Sequence, residues 1–422
     1  MKTPRFCWKL LSTILCLLPL ADVARAGDWP QILGPDRNGH AQDESLLDEW
    51  PDRGPQEVWK RNLGTGYAGP AISDGVVYLF HREAASELLE AVELKTGKKI
   101  WARDMRASYQ PSINPDDGPR CVPVVTEDSV IVFGAAGILR SVDRQSGKLK
   151  WEVDLAGQFG APDGYFGFGS TPIVYDKTVM VNVGGRNGAG IVAVRLADGQ
   201  FQWRATDDAA SYSSPVMASI AGRPYAVFVT RMQTVVVDPF TGSVLYGFPF
   251  GARGPTVNAA TPIVSGDKLF VTSSYGVGAK LVELDKNQFK PIWENDDTLS
   301  SQYNTPVLVD GYLYGIHGRE DLGRPELRCV ELATGKVMWQ ESNLGTAHLL
   351  YADGKLIAVT NEGTAILFRP EPKKFSEISR FRASNDIVRA LPALSGGYLL
   401  VRETGTRGGP VRCFQIGKPS EP

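Results

Sequence analysis

The 422-residue sequence is poor in the groups on which most enzymatic chemistry rests. It holds four histidines, His40, His81, His317 and His348, each isolated in sequence, and five cysteines. No H-E-x-x-H, G-x-S-x-G or Walker-type phosphate loop occurs, so the common signatures of zinc peptidases, α/β-hydrolases and P-loop nucleotide enzymes are missing. A C-x-x-C-H haem attachment and an adjacent Cys-Cys pair are missing too. The formal charge is -2. Removing the basic N-terminal 26 residues takes it to about -5, without the positive excess that nucleic acid or anionic lipid would require.

Long apolar runs are lacking except at the start. Lys2, Arg5 and Lys9 precede LLSTILCLLPLA, and Ala24-Arg25-Ala26 forms an A-x-A site before Gly27. This pattern predicts a cleaved secretory signal over 1–26. Pro19 interrupts an apolar run shorter than the ~20 residues a bilayer-spanning helix needs. No transmembrane helix is therefore expected after processing, and the chain is placed in the periplasm or outside the cell. Cys16 lacks the small preceding residue of a lipid-modified cysteine. Cys121, Cys329 and Cys413 remain; RPELRCVEL and GGPVRCFQI put the last two at one repeat position in separate units, as buried fillers rather than a disulfide.

What is abundant is repetition. Trp59, Trp101, Trp151, Trp203, Tyr246, Trp293 and Trp339 follow one another at intervals of 42, 50, 52, 43, 47 and 46 residues. Five of them end near copies of one phrase: AVELKTGKKIW, SVDRQSGKLKW, AVRLADGQFQW, VVDPFTGSVLY and CVELATGKVMW. Each phrase has Gly at its seventh place and an aromatic at its eleventh. Upstream stand a polar turn with an apolar strand, in eight copies, and a Pro entering a further strand, as in Thr171-Pro172 and Thr305-Pro306. Four β-rich segments per unit at this period predict propeller blades.

The last unit, from about Arg382 to Ile416, holds three strands, while GPQEVWKRNL at the N-terminus is a strand without a unit. The expected fold is therefore all-β: an eight-bladed β-propeller of four-stranded antiparallel blades, its ring closed by the N-terminal strand. The expected organisation is an extended arm over 27–57, one propeller over 58–417 and a disordered tail over 418–422. The seven aromatics are assigned to docking between blades. ELDKNQFKPIW, with Phe289 in the Gly place, and the stretch 365–381, with neither Gly nor Trp, are expected to form the least regular blade edges.

On these residues the chain resembles the PQQ-like quinoprotein propeller superfamily, whose docking repeat A-x-D-x-x-T-G-x-x-x-W is matched closely by AVELKTGKKIW. WPQILGPDRNGH, from Trp29 to His40, is similar to the N-terminal arm of secreted bacterial PQQ-binding-like repeat proteins. The resemblance implies one of two functions. Quinoprotein alcohol dehydrogenases bind pyrroloquinoline quinone and calcium; BamB is a non-enzymatic factor in outer-membrane protein assembly. The enzyme would need a Trp beneath the quinone and a calcium site of Glu, Asn and Asp oxygens. Six tryptophans are committed to docking, and Trp8, Trp29 and Trp50 belong to the leader or arm.

A different pattern points to binding. Three residues before the strand-entry Pro stand Tyr67, Arg120, Tyr212, Tyr303 and Arg389, and Asn258 stands one place earlier before Pro262. The first strand of each blade lines the channel, so these six should converge on its mouth. Tyr and Arg are enriched at binding hot spots. The insertion from Glu152 to Gly169, rich in Gly and aromatics, is expected on the same face as a lid or contact surface. The acidic doublets at 116–117, 207–208 and 296–297 are expected as solvated loop carboxylates. The expectation is a monomeric, non-catalytic binding or scaffolding module of the cell envelope. Its ligand is an envelope protein, peptide or glycan, with no nucleic acid, no metal and no cofactor; a PQQ- and calcium-dependent dehydrogenase is the alternative.

Overall fold

The computed structural model describes residues 27–418 apart from positions 114, 286, 287 and 324. The expected leader over 1–26, and all but the first residue of the expected tail, lie outside the described residues. The described strands group into eight four-stranded sheets. Seven blades are continuous in sequence: 71–106, 124–154, 173–205, 216–249, 263–295, 307–341 and 347–382. The eighth takes three strands from 393–415, and strand Gln56–Leu63 closes it antiparallel to Gly409–Gln415. The eight-bladed fold and its N-terminal closure are thus as the repeats predict.

One register feature recurs and explains the docking residues. A β-bulge follows the residue opposite the docking position in each of blades 1 to 7, which in blades 1 to 4 and 6 is the first of the phrase: Ala91/Val92, Ser141/Val142, Ala193/Val194, Val236/Val237, Leu281/Val282, Cys329/Val330 and Leu367/Phe368. The residue before the bulge faces Trp101, Trp151, Trp203, Tyr246, Trp293 and Trp339 in blades 1 to 6, and Cys413 faces Trp59 in blade 8. Each indole Nε1 then donates to a backbone carbonyl of the next blade, as from Trp59 to Leu94 O at 2.6 Å, Trp151 to Leu196 O at 2.8 Å and Trp339 to Glu371 O at 2.7 Å. A buried indole that satisfies its N–H contributes both area and direction to a blade interface.

The phrase glycine has a second duty beyond its turn. A Cβ on Gly97 would stand 2.8 Å from Trp59 Cδ2, and one on Gly147 2.6 Å from Trp101 Cε3. Gly199, Gly242 and Gly335 meet Trp151, Trp203 and Trp293 in the same way, while Trp339 meets Phe375 of blade 7, which has no glycine there. The remaining aromatic, Tyr246, follows from the same sterics. Blade 5 has Phe289 in the Gly place and a turn two residues longer, and the aromatic facing it is Tyr246, whose ring centroid is 6.1 Å from that of Phe289.

Blade 7 departs further: its docking position, opposite Leu367, is Ser379. The arm supplies what is missing. The backbone N–H of Trp50 donates to Ser379 Oγ at 2.9 Å, and its buried ring meets Phe381 edge-on at 4.9 Å. Phe381 in turn packs against Phe414 of blade 8 at 5.0 Å. The three described cysteines are free and buried.

Before reaching Trp50 the arm crosses one end of the channel. Trp29 pairs with Ile72 of blade 1, and Pro30 O accepts from Val125 N of blade 2. Arg37 reaches blades 3 and 4; its guanidinium donates to Thr171 O, Pro172 O and Pro215 O. His40 contacts Leu308 O of blade 6 at 2.9 Å, and Ala41 and Gly39 pair with Tyr351 of blade 7. Glu44 accepts from the backbone N–H groups of Gly396 and Gly397 in blade 8.

Candidate binding site at the channel mouth

The opposite end of the channel is built from the loops that enter each innermost strand. These loops lie flat on one another: Tyr67 N and Ala68 N donate to Pro119 O, and Tyr212 N and Ser213 N donate to Asn258 O. They frame a cavity of about 540 Å³ lined by Tyr67, Arg120, Tyr212, Tyr303 and Arg389. Five of the six residues expected at the mouth therefore come together from five different blades.

Asn258 does not join them. Its amide nitrogen donates to Thr230 O, Arg231 O and Phe250 O, and the residue is buried. Ala259, three residues before Pro262 like the other five, lines the cavity instead. In extended backbone, neighbouring side chains point to opposite sides, so one step in register turns a residue away. Asn258 braces the loop. In blade 3 the same register position is Gly169, where a Cβ would come 2.6 Å from Tyr212 Cδ1. The ring of Tyr212 occupies that space, with Phe166 of the 152–169 insertion beside it.

The side chains are held rather than free. Arg120 donates to Asp116 Oδ1 at 3.2 Å, Asp116 O at 2.7 Å and Gly118 O, with its guanidinium 5.5 Å from the Tyr67 ring centroid and 5.7 Å from that of Tyr109. It braces the mouth more than it reaches into it. The Tyr212 hydroxyl accepts from Phe166 N at 2.8 Å, and burial pushes its pKa up. The Tyr303 hydroxyl donates to Glu320 Oε2 at 2.9 Å and accepts from Asn361 Nδ2 at 2.5 Å. Burial, with the Glu320 charge adding to it, keeps that phenol protonated. Glu320 also pairs with Arg389 at 3.1 Å. Beneath them His348 contacts Arg389 O at 3.0 Å and is almost fully buried, which lowers its pKa to about 4.

Four polar lining residues were invisible to the strand-entry pattern: Tyr275, Gln302, Glu320 and Asp321. Tyr275, Glu320 and Asp321 come from loops between the second and third strands of blades 5 and 6. The charged insertion HGREDLGRPE was the available signal for the last two. Arg319 stacks over Tyr275 at 4.3 Å and pairs with Asp321 at 2.5 Å.

The charged side chains lining the cavity thus have internal partners: Arg120 with Asp116, Arg389 with Glu320, Asp321 with Arg319. The acidic doublets are tied into loops as well. Asp116 accepts from Gly66 N, Asp117 pairs with Arg82 at 3.0 Å, and Asp208 accepts from Met232 N. The donor set does not fit a quinone with calcium. Asn304 Oδ1 and Asn361 Oδ1 lack partners near Tyr303, yet the adjacent carboxylate, Glu320, is held by Arg389 and Tyr303, and calcium takes six to eight oxygens. Among the described residues no group of three or more His, Cys, Asp or Glu side chains could hold a metal ion.

Fold and docking pattern together define a propeller of the quinoprotein type, closed by its N-terminal strand. Within that class, the family model described as outer membrane protein assembly factor BamB matches residues 84–341, well over half of the chain, and the chain belongs to this family. The BamB of Moranella endobia (strain PCIT) is 22% identical over 323 residues, covering 74% of this chain and 69% of its own length. The crystal structure of BamB from Moraxella catarrhalis superposes with a TM-score of 0.63 at 14% identity, over 86% of this chain and 99% of that one. A europium-containing methanol dehydrogenase gives 0.67 at 11% identity, over 92% and 98%. Likeness at that identity speaks to the fold alone.

Proposed function

We propose that the protein is an exported, non-catalytic binding and scaffolding propeller of the cell envelope that engages its ligand at the channel mouth. The leader over 1–26 directs export and is removed, leaving the arm over 27–57 and the propeller over 58–417 as the mature molecule. Family membership supports the envelope role, since the matching model describes an assembly factor. The observation that carries the site is the convergence of Tyr67, Arg120, Tyr212, Tyr303 and Arg389 on one cavity. Concave, largely aromatic surfaces with a few fixed polar groups are the usual form of a binding pocket.

The test is position-specific crosslinking in envelope extract. A photoreactive residue at position 303 is expected to capture a partner, and one at position 36 on the arm face is not. Equal capture from both faces would contradict the assignment. Retention of micromolar pyrroloquinoline quinone with calcium through gel filtration, together with dye reduction by an alcohol, would overturn the non-catalytic reading.

A further inference from the structure

The mouth cavity does not end at Tyr275. The same residue lines a second cavity of about 630 Å³, formed over blades 5 and 6 by Thr256, Asp296, Asp297, His317, Arg319 and Leu322 among others. Tyr275 and the Arg319 stacked on it are the sill between the two spaces. Gln302, which donates to Tyr275 Oη at 3.2 Å, ties that sill to the inner cavity.

The two spaces differ in chemistry. The inner one is walled by the rings of Tyr67, Phe166, Tyr212, Tyr275 and Tyr303, and its charges are neutralised internally. A charged occupant would have to break an existing ion pair; an uncharged ring or aliphatic chain would not. Asn304 Oδ1, Asn361 Oδ1 and Arg389 Nε, buried around Tyr303, lack hydrogen-bond partners, so polar backbone brought in with such a side chain would find donors and acceptors waiting. The outer space carries the exposed carboxylates of Asp296 and Asp297, while its arginine, Arg319, is already paired with Asp321. That leaves a local negative excess. Leu322, 74% exposed, stands on its wall and Ile387, 47% exposed, in the loop leading to Arg389. Exposed aliphatic side chains beside a groove suit a polypeptide better than a sugar.

Resting on the reading that the mouth holds a ligand, we infer that these cavities form one groove for an extended peptide segment. An uncharged aromatic or large apolar side chain fills the inner cavity, and a lysine or arginine a few residues away lies over Asp296 and Asp297. The ring anchors the segment and the carboxylates set its direction and charge selectivity.

The experiment uses the mature protein and fluorescein-labelled peptides of Gly-Ser background carrying one Phe and one Lys separated by zero to three residues. At least one spacing is expected to bind with measurable anisotropy. Phe→Ser in the peptide should abolish binding. Lys→Glu, or the protein variant Asp296→Asn/Asp297→Asn, should weaken it about tenfold at low salt, with the difference shrinking as ionic strength rises. Tyr212→Ala should weaken all Phe peptides alike. If Phe peptides bind equally well with Lys or Glu, the two-part groove is wrong and the mouth site stands. If no peptide binds while a neutral oligosaccharide of glucose does, the peptide assignment is wrong and the mouth site again stands. If neither binds and crosslinking from position 303 captures nothing, both readings fail.

Discussion

The two ends of the channel are built from the same blades and finished in opposite ways. At one end the arm is bonded to the innermost strands of blades 1, 2, 6 and 7 and to residues flanking those of blades 3, 4 and 8, much of it through backbone groups. At the other end loops from several blades leave a cavity open, and their side chains are bonded to one another rather than across the opening. The contrast is clearest in the two arginines that stand at either end. Arg37 is 3% exposed, lies against carbonyls alone and has its pKa lowered to about 9 by desolvation. Arg389 is partly exposed and pairs with Glu320. A guanidinium spent on three buried carbonyls is a structural tie; one balanced by a carboxylate in an open cavity is presented for contact. Stability resides at the arm end, and recognition is the role proposed for the mouth.

That division can be broken experimentally. Removing residues 27–50 strips Trp29, Ile32, Leu33, Leu46 and Trp50 from the propeller, each of which is buried. At ~2 kcal/mol per large side chain the loss is on the order of 10 kcal/mol, the size of a whole domain's stability, so the truncated chain should not yield soluble folded protein. Recovery of a well-folded truncated ring by circular dichroism and thermal melting would refute the sealing role.

Gly147→Ala comes next. It places a Cβ 2.6 Å from Trp101 at φ +68° and should cost about 3 kcal/mol in denaturant unfolding, without touching either end of the channel. An effect of similar size, but dependent on pH, belongs to His348. Its folded pKa of about 4 lies below the ordinary 6.5, so the native state excludes a proton that the unfolded chain takes up. Its contribution is complete above pH 6.5 and is lost progressively as the pH falls towards 4, up to roughly 3 kcal/mol. His348→Gln should flatten the stability profile over that window; an unchanged slope would contradict the burial argument. Smallest in stability is Tyr303→Phe, which removes the hydroxyl between Glu320 and Asn361 and should cost about 1 kcal/mol, with the Glu320 carboxylate still paired to Arg389.

Much of this was legible in the sequence because blade geometry repeats. The aromatic at the eleventh place and the orphan strand at Trp59 fix blade number and closure. What the phrase could not show is that each glycine is the floor for the preceding blade's tryptophan, a contact between residues roughly forty apart. Blade 7 hid its docking position, since Ser379 gives no signal and the filler, Trp50, comes from the arm over 300 residues away. At the mouth, five residues could be read because each keeps one register with its strand-entry Pro. Asn258 failed by a single position, for which the alternation of extended backbone is sufficient reason. Glu320, Asp321 and Tyr275 sit in loops of irregular length, where no register carries over from blade to blade.

The most direct test pairs one substitution from each end, Arg37→Met and Tyr212→Ala, in two assays: thermal melting, and crosslinking yield from position 303 in envelope extract. Arg37→Met leaves three carbonyls unsatisfied and should lower stability by about 3 kcal/mol with the crosslinked yield intact. Tyr212→Ala should lose most of the yield with a shift in stability of about 2 kcal/mol, from one hydrogen bond and part of a ring. Full yield from Tyr212→Ala, or loss of yield from Arg37→Met at a temperature where it remains folded, would contradict the assignment of recognition to the mouth.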